Sequence, residues 1–164
     1  MQMTYRELKD EIAKIIPRNI EYEVDLEAGN IAIITTNMKP FTGQDGLIGK
    51  IARRIKRKIV LRTPIDAMMD MDEAKDVIND IIPEDADITE MYFDACYREV
   101  TIQCRQPGTA IGRRGENSNA IRDKTGWAVK VERTPPLFSK TVLDIRMYRQ
   151  TLGDERLKLL KDFG

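Results

Sequence analysis

Histidine is absent from the 164 residues of this chain. That absence excludes a histidine-ligated zinc centre, a Ser-His-Asp triad and a histidine general base within it. The only two cysteines, Cys96 and Cys104, lack the spacing of metal-binding pairs and indicate reduced thiols in a cytoplasmic protein. Apolar runs are only a few residues long, too short to span a bilayer, so no membrane association is expected.

Acidic residues are scarce in one part of the chain and basic residues in another, although the net charge is zero. Residues 68–103 contain 11 acidic and 2 basic residues, whereas residues 104–164 contain 7 acidic and 13 basic residues. A basic surface that suits nucleic acid can therefore exist on a neutral protein. The alternative is that these charges form ordinary solvated faces.

The chain repeats itself. The tripeptide Ile-Ile-Pro at residues 15–17 recurs at residues 81–83, and Arg-Thr-Pro at residues 62–64 recurs at residues 133–135. Each Ile-Ile-Pro closes a run of apolar residues with helical spacing, and proline then ends the helix. The repeat predicts two units of the same design.

Each unit is predicted to run helix, strand, strand, helix, helix, strand. This α+β order is that of the type II KH fold, in which helices cover one face of a three-stranded sheet. The predicted domains are residues 1–67, residues 68–146 and a C-terminal helical linker at 147–164. The predicted helices lie at 4–16, 47–57, 71–82, 108–111 (a short turn), 116–125, 139–150 and 154–162. The predicted strands lie near 20–26, 30–36, 58–62, 87–94, 99–105 and 127–133. Hairpin turns are expected at Glu27-Ala28-Gly29 and near Ala95-Cys96-Tyr97.

A glycine loop with two arginines lies between a predicted strand and a predicted helix of the second unit. Its glycines let another backbone approach closely, its arginines suit phosphate, and free N–H groups at a helix start suit an anion. A KH module grips single-stranded nucleic acid in this way. The alternative is a tight turn with exposed arginines. The predicted RNA-binding residues are Ile111, Gly112, Arg113, Arg114, Gly115, Asn117 and Ile121, with Ile111, Ala120 and Ile121 as an apolar floor.

The matching loop of the first unit, residues 43–46, departs from this pattern. It contains Asp45, whose charge repels phosphate, and no arginine. The helix after it is basic, so it either makes auxiliary phosphate contacts or presents a solvated face, and the first unit is predicted to be mainly structural. The candidate auxiliary contacts are Lys50, Arg53, Arg54 and Arg57. Trp127 is expected in the core, and no metal site is predicted.

The chain resembles the N-terminal tandem KH region of the archaeal CPSF-type ribonucleases, which are metallo-β-lactamase/β-CASP proteins. The resemblance implies that the KH pair guides U-rich RNA 3′ ends to a zinc-dependent ribonuclease, in RNA 3′-end processing and transcription termination. The stretches that carry it are Ile81-Ile82-Pro83, Ile111 to Gly115, Thr125-Gly126-Trp127, Arg133-Thr134-Pro135-Pro136, Ser139-Lys140-Thr141-Val142 and Asp154-Glu155-Arg156.

The nuclease of that family needs histidine and aspartate ligands for two metals, and this chain has no histidine. We therefore expect no catalysis and no cofactor in this chain, with zinc held by the nuclease domain of longer relatives. The tail from Leu152 resembles a linker, so the chain is expected to be either a piece of a longer protein or a stand-alone relative. Two further hypotheses stay open: the N-terminal part of an endo- or exoribonuclease, and a docking module for RNA polymerase or the ribosome. Base preference, oligomeric state and RNA binding by the first unit also stay open.

Overall fold

The computed structural model describes residues 3–27, 29–43 and 45–163. The chain divides into two compact units, Met1–Pro64 and Ile65–Gly164. The second unit therefore includes the C-terminal segment. Ala28 in the first predicted hairpin turn and Gln44 in the first glycine loop lie outside the described residues.

The first unit is an α+β unit built on one three-stranded sheet. Its strands stand in the order β1-β2-β3, with β1 antiparallel to β2 and β2 parallel to β3. A 3-10 turn at Lys39–Phe41 replaces the helix expected before the glycine loop, because Pro40 starts a turn and Thr42, in an extended conformation, ends it. The elements are α1 (Tyr5–Ala13), β1 (Glu23–Glu27), β2 (Asn30–Ile34), α2 (Leu47–Ile55) and β3 (Ile59–Arg62).

Local sequence explains the first unit's helices. Helix α1 begins at a capping box: the Thr4 hydroxyl accepts from the Glu7 backbone N–H at 3.3 Å, and the Glu7 carboxylate accepts from the Thr4 backbone N–H at 2.8 Å. Such a box satisfies N–H groups that have no partner within the helix. The apolar stripes of α1 and α2 then pack on the central strand, and Ile12, Ile31 and Ile51 are completely buried.

The second unit has a sheet of the same design, in the order β4-β5-β6, with an antiparallel and then a parallel pair. The predicted turn at residues 95–97 is confirmed. None of the helices in the described part of the chain is long and apolar enough to cross a membrane. The elements are α3 (Met71–Ile81), β4 (Ile88–Asp94), β5 (Glu99–Cys104), α4 (Pro107–Ile111), α5 (Glu116–Thr125), β6 (Ala128–Arg133) and α6 (Lys140–Phe163).

The second sheet separates its side chains by alternation along each strand. Val100 and Ile102 of β5 join the buried core with Ile78 of α3 and Ile121 of α5. Gln103 points to the other face, yet it is also buried. Something therefore covers this second face as well.

Helix α6 covers that face, so the prediction of helices on one face only is wrong for the second unit. The guanidinium of Arg146 lies 4.6 Å from the Tyr92 ring centroid and 3.1 Å from the Glu132 carboxylate. The predicted pair of tail helices is also wrong, because α6 runs unbroken through Gly153. A Cβ on Gly153 would lie 3.2 Å from the Ala95 backbone nitrogen, so glycine here permits a close approach rather than a break.

Candidate nucleic-acid interface

The glycine loop of the second unit reverses the chain between α4 and α5. Helix α4 ends at Ile111, because the next residue, Gly112, has a φ of +76°, and a 3-10 turn spans Arg113–Gly115. Arg114 and Gly115 have φ values of +53° and +77°. Left-handed backbone is uncommon for a residue with a Cβ, so Arg114 occupies a conformation that the surrounding fold imposes.

Both loop arginines are exposed to solvent. Within the described ranges, neither Arg113 nor Arg114 has a side-chain hydrogen bond or ion pair. Arg122 of the same unit, by contrast, pairs with Asp123 at 3.3 Å. Two free guanidinium groups on one short turn can therefore meet an anion without first breaking an ion pair.

Glu116, at the first position of α5, is a feature of the loop that the sequence analysis did not single out. Its carboxylate accepts a 3.3 Å hydrogen bond from the backbone N–H of Arg113. A phosphate oxygen seeking that N–H would compete with this carboxylate. The sequence signal was a carboxylate three residues after a loop N–H, which is the spacing of a capping interaction.

The two glycines of the loop have different reasons to be glycine. A Cβ on Gly112 would lie 2.8 Å from Cγ of Glu116 and 2.9 Å from Cγ of Asn117, so the protein's own packing requires glycine there. A Cβ on Gly115 would meet only the Asn119 amide nitrogen, at 3.8 Å. The open side of the loop is therefore the side of Gly115.

The side chain of Asn117 forms a hydrogen bond within the protein, beside the loop. Its side-chain amide donates a 3.1 Å hydrogen bond to the Thr109 carbonyl and so ties α5 to α4. The structure thus places Asn117 as a brace of the loop, with its amide already engaged.

The predicted apolar floor is smaller than expected. Ile111 is 38% exposed beside the loop, whereas Ile121 is 0% exposed within the core. The prediction that Ile121 contacts RNA is wrong for this conformation, because the helical period turns it inward with Thr125. Ala120 is half-buried, so Ile111 is the predicted floor residue with the largest exposed area.

In the first unit, the four predicted auxiliary residues are all exposed on or just beyond α2. Nε of Arg53 bonds the Gly49 carbonyl at 3.1 Å, and Nε of Arg54 lies 2.7 Å from the Glu11 carboxylate. Hydrogen bonds from Lys14 and then Arg54 hold the pKa of Glu11 below its ordinary value. Lys50 and Arg57 have no ion pair within the described ranges, so these two retain unengaged charge.

The first unit's own glycine loop is arranged differently. A Cβ on Gly46 would collide with the Phe41 carbonyl, so this loop folds against the preceding turn. Asp45 is exposed there and would repel phosphate. That this loop is degenerate stays a prediction.

The aromatic side chains of the second hairpin are already engaged. Trp127 is 1% exposed, and its indole N–H donates to the Met69 carbonyl at 2.9 Å. Phe93 packs edge-on against Trp127, with ring centroids 4.9 Å apart. Arg146 covers Tyr92, as described above, and Arg149 lies 5.7 Å from the Tyr97 ring centroid.

In the described part of the chain, no group of three or more potential ligands could hold a metal ion.

The protein is of the α+β class, with two three-stranded sheets and their helices. Together with a glycine turn that exposes two arginines, this fold defines a protein with a KH domain, a class of nucleic-acid-binding module. Residues 2–68 match the family described as "Transcription termination factor FttA, KH domain". The first unit of this chain is therefore similar to the KH domain of that family.

Relatives named transcription termination factor FttA extend the similarity over both units. The chain is 36% identical over 159 residues to the protein from Methanothermobacter thermautotrophicus. The aligned residues make up 96% of this chain and 25% of that protein. It is 32% identical over 160 residues to the protein from Thermococcus kodakarensis, and the aligned residues make up 97% of this chain and 25% of that protein. This chain spans about a quarter of the length of these curated relatives. Among solved structures, APE1850 covers 77% of this chain, and the chain covers 96% of APE1850, at 15% identity and a TM-score of 0.31, too low to bear on the fold.

Proposed function

We propose that this chain is a tandem type II KH module that binds single-stranded RNA through the arginine turn of its second unit. The observation that carries the proposal is the pair of exposed, unpaired guanidinium groups of Arg113 and Arg114 on a left-handed turn between α4 and α5. Phosphate contacts fix the position of a nucleic-acid strand and supply most of the electrostatic affinity.

In this proposal the RNA backbone passes on the open side of Gly115, and Arg113 and Arg114 contact its phosphates. Ile111 gives a base an apolar surface. About four nucleotides fit a KH groove, and we expect a Kd on the order of micromolar for one such groove. Contacts from Lys50 and Arg57 of the first unit would raise the affinity through effective concentration.

The names of the relatives support a role in transcription termination, and these relatives are about four times as long as this chain. We place this module in the cytoplasm, where it guides U-rich RNA 3′ ends during 3′-end processing and transcription termination. In a longer protein the module would deliver that RNA to a zinc-dependent β-CASP ribonuclease domain. The chain itself would bind RNA without cleaving it, since it has no histidine to ligate such metals.

The test is to replace Arg113 and Arg114 together by aspartate and to measure binding of fluorescein-labelled octauridylate by anisotropy. We expect binding through the turn to be lost, leaving only the weaker contacts of the first unit, while the circular dichroism spectrum stays native, because both side chains are exposed. For the wild type, log Kd should rise with log salt concentration with a slope of about 0.7 per phosphate contact.

A matched control is available on α6. Replacing Lys140 and Arg156 by aspartate changes the net charge equally at two exposed positions away from the turn. Binding by this control should change only slightly. Unchanged binding by the folded turn variant would remove the central role of the turn.

A second candidate function is protein docking, and one surface of the second unit favours it. Helix α3 exposes a row of carboxylates that would repel RNA and attract a basic partner such as a polymerase or ribosomal surface. A pull-down with purified RNA polymerase after nuclease treatment separates the two functions, because an RNA-bridged complex is lost and a direct one is kept. The exposed carboxylates are Asp72, Glu73, Asp76 and Asp80.

A further inference from the structure

The first unit contains a cleft whose lining residues do not include its glycine loop at residues 43–46. The cleft has a volume of about 830 Å³ and lies among the start of α1, the β1–β2 hairpin and the end of α2. Clefts of roughly 300–1,000 Å³ hold one small ligand, so this one has room for about two nucleotides. Its walls include Tyr5, Leu26, Ile55, Lys56 and Arg57.

Unusually exposed apolar side chains meet at this cleft. Tyr5 is 44% exposed, and Leu26, on the edge strand β1, is 58% exposed. Met3 beside them is 43% exposed. Single exposed apolar residues are ordinary on a protein surface, whereas a contiguous group at a concave site marks a binding surface.

The tyrosine is held in place before any ligand arrives. Its hydroxyl donates a 2.5 Å hydrogen bond to the Val24 carbonyl, and the ammonium of Lys9 lies 4.6 Å above its ring centroid. Lys9 is not among the residues that line the cleft. The tyrosine, which is 44% exposed, is therefore fixed in the wall of the cleft.

The charge of the cleft has one sign. Lys56 and Arg57 line it, and no carboxylate appears among its described lining residues. The exposed cations Lys50, Arg53 and Arg54 recur at helical spacing along α2, which ends at this cleft. Lys50 is the one of the three without an ion pair or hydrogen bond in the described ranges, since Arg53 bonds the Gly49 carbonyl and Arg54 pairs with Glu11. A row of cations leading to an aromatic surface is the arrangement with which proteins bind single strands, following phosphates with charge and stacking bases on rings.

We infer that this cleft is a second single-stranded RNA site, in which a base stacks on Tyr5 against Leu26 while Lys56 and Arg57 contact the flanking phosphates. The inference rests on the proposed function for the nature of the ligand, and it does not require the arginine turn of the second unit. It gives the first unit an RNA-binding role despite its degenerate glycine loop.

The test uses the full chain and octauridylate with a single 4-thiouridine, cross-linked by ultraviolet light and mapped by mass spectrometry. Cross-links should map to peptides containing Tyr5 or Leu26 as well as to the arginine turn. In the variant with Arg113 and Arg114 replaced by aspartate, the cleft cross-links should remain and those at the turn should disappear. Cross-linking in this double variant therefore reports on the cleft without a contribution from the arginine turn.

Affinity measurements in that same background complete the test. Leu26→Glu should weaken octauridylate binding on the order of tenfold, the effect of losing one stacked base. The matched control is Leu137→Glu, the same change at an exposed leucine of the second unit, which should leave binding unchanged. Arg57→Glu should also weaken binding, compared with Arg18→Glu at another exposed arginine of the first unit.

The outcomes distinguish this inference from the proposed function. Absence of cross-links at the cleft, or equal affinities for each variant and its control, overturns the second site alone. Wild-type binding by the turn variant, with cross-links confined to the cleft, overturns the role of the turn and leaves the cleft as the RNA site. If a labelled peptide of alternating glutamate and leucine binds in a Leu26-dependent way while octauridylate does not, the cleft is a protein-docking site and the inference is wrong.

Discussion

The side-chain amide of Asn117 donates a 3.1 Å hydrogen bond to the backbone carbonyl of Thr109. This bond joins the two helices on either side of the arginine turn and thereby sets the distance between them. The hydrogen bond therefore stabilises the turn from its protein-facing side, while the solvent-exposed side carries the two unpaired guanidinium groups.

Asn117→Ala should loosen the turn more than it destabilises the unit. We expect a loss of about 1 kcal/mol in the free energy of unfolding, the usual contribution of one such hydrogen bond. RNA affinity should fall as well, because the turn loses its fixed geometry. Urea denaturation and anisotropy on the same samples check both effects. Asn117→Asp offers a comparison, since it keeps the shape of the side chain and removes the donor.

Gly112→Ala and Gly115→Ala should differ in cost. Alanine at Gly115 faces open space and bears only the penalty of left-handed backbone, about 1 kcal/mol. Alanine at Gly112 adds a collision with Glu116 and Asn117 to its strained backbone, and we expect about 2–4 kcal/mol in total. Thermal denaturation of the two variants measures the difference. Equal costs would show that the packing beneath Gly112 yields easily.

Glu116→Gln should strengthen RNA binding. The wild-type carboxylate occupies the Arg113 N–H and adds negative charge where a phosphate would bind. The amide oxygen of glutamine can keep that hydrogen bond without the charge. A two- to fivefold decrease in Kd corresponds to about 0.5–1 kcal/mol, typical of one exposed charge interaction. The gain should shrink as salt is added, and a gain that persists at high salt would argue against an electrostatic cause.

Trp127→Phe should destabilise the second unit by about 2–3 kcal/mol. The change removes the donor to the Met69 carbonyl, alters the packing against Phe93 and leaves a small cavity. Trp127 is the single tryptophan of the chain, so wild-type fluorescence reports unfolding of this unit. The variant is followed by near-ultraviolet circular dichroism of its tyrosines. A loss below about 1 kcal/mol would mean that the buried indole hydrogen bond contributes little.

Asp154 should make the second unit less stable as pH rises. Burial raises the pKa of its carboxyl above the ordinary value of 3.8, while Lys158 opposes this rise. The folded state therefore favours the protonated acid, and its stabilisation is present below pH 3.8 and is lost as pH rises through the higher folded pKa.

One buried oxygen of Asp154 has no hydrogen-bond partner in the part of the chain that the structure describes. Asp154→Asn should therefore raise the stability at pH 7 by about 1 kcal/mol, and the difference should vanish near pH 4. Tryptophan fluorescence during thermal denaturation at both pH values measures it. Glu132, whose pKa the Lys130 hydrogen bond lowers, is unchanged in the variant and cancels in the comparison.

Local pattern was sufficient for most elements of the fold. The helix predicted at 116–125 has those bounds, and the turn at residues 95–97 lies where the polar break between two strand patterns put it. The repeated Ile-Ile-Pro marked two units because proline ends a helix at the same point of each.

The site was predicted less completely. The backbone character of Gly112 and Gly115 and the exposure of the two arginines follow from residue type and spacing. The inward direction of Ile121 and the internal hydrogen bond of Asn117 depend on how α5 is rotated against α4. The sequence pattern of one helix does not contain that rotation. The cleft beside Tyr5 and Leu26 was missed because its walls come from three elements distant in the chain.

Sequence alone determined the α+β class, the two repeated units and the charged glycine turn, because short-range sterics and apolar periodicity act over a few residues. Tertiary structure alone decided that α6 continues through Gly153 and lies on the second sheet. A glycine interrupts a helix or permits close packing according to what lies beside it, and here the neighbour is Ala95. That contact joins residues more than fifty positions apart, beyond the reach of any local rule.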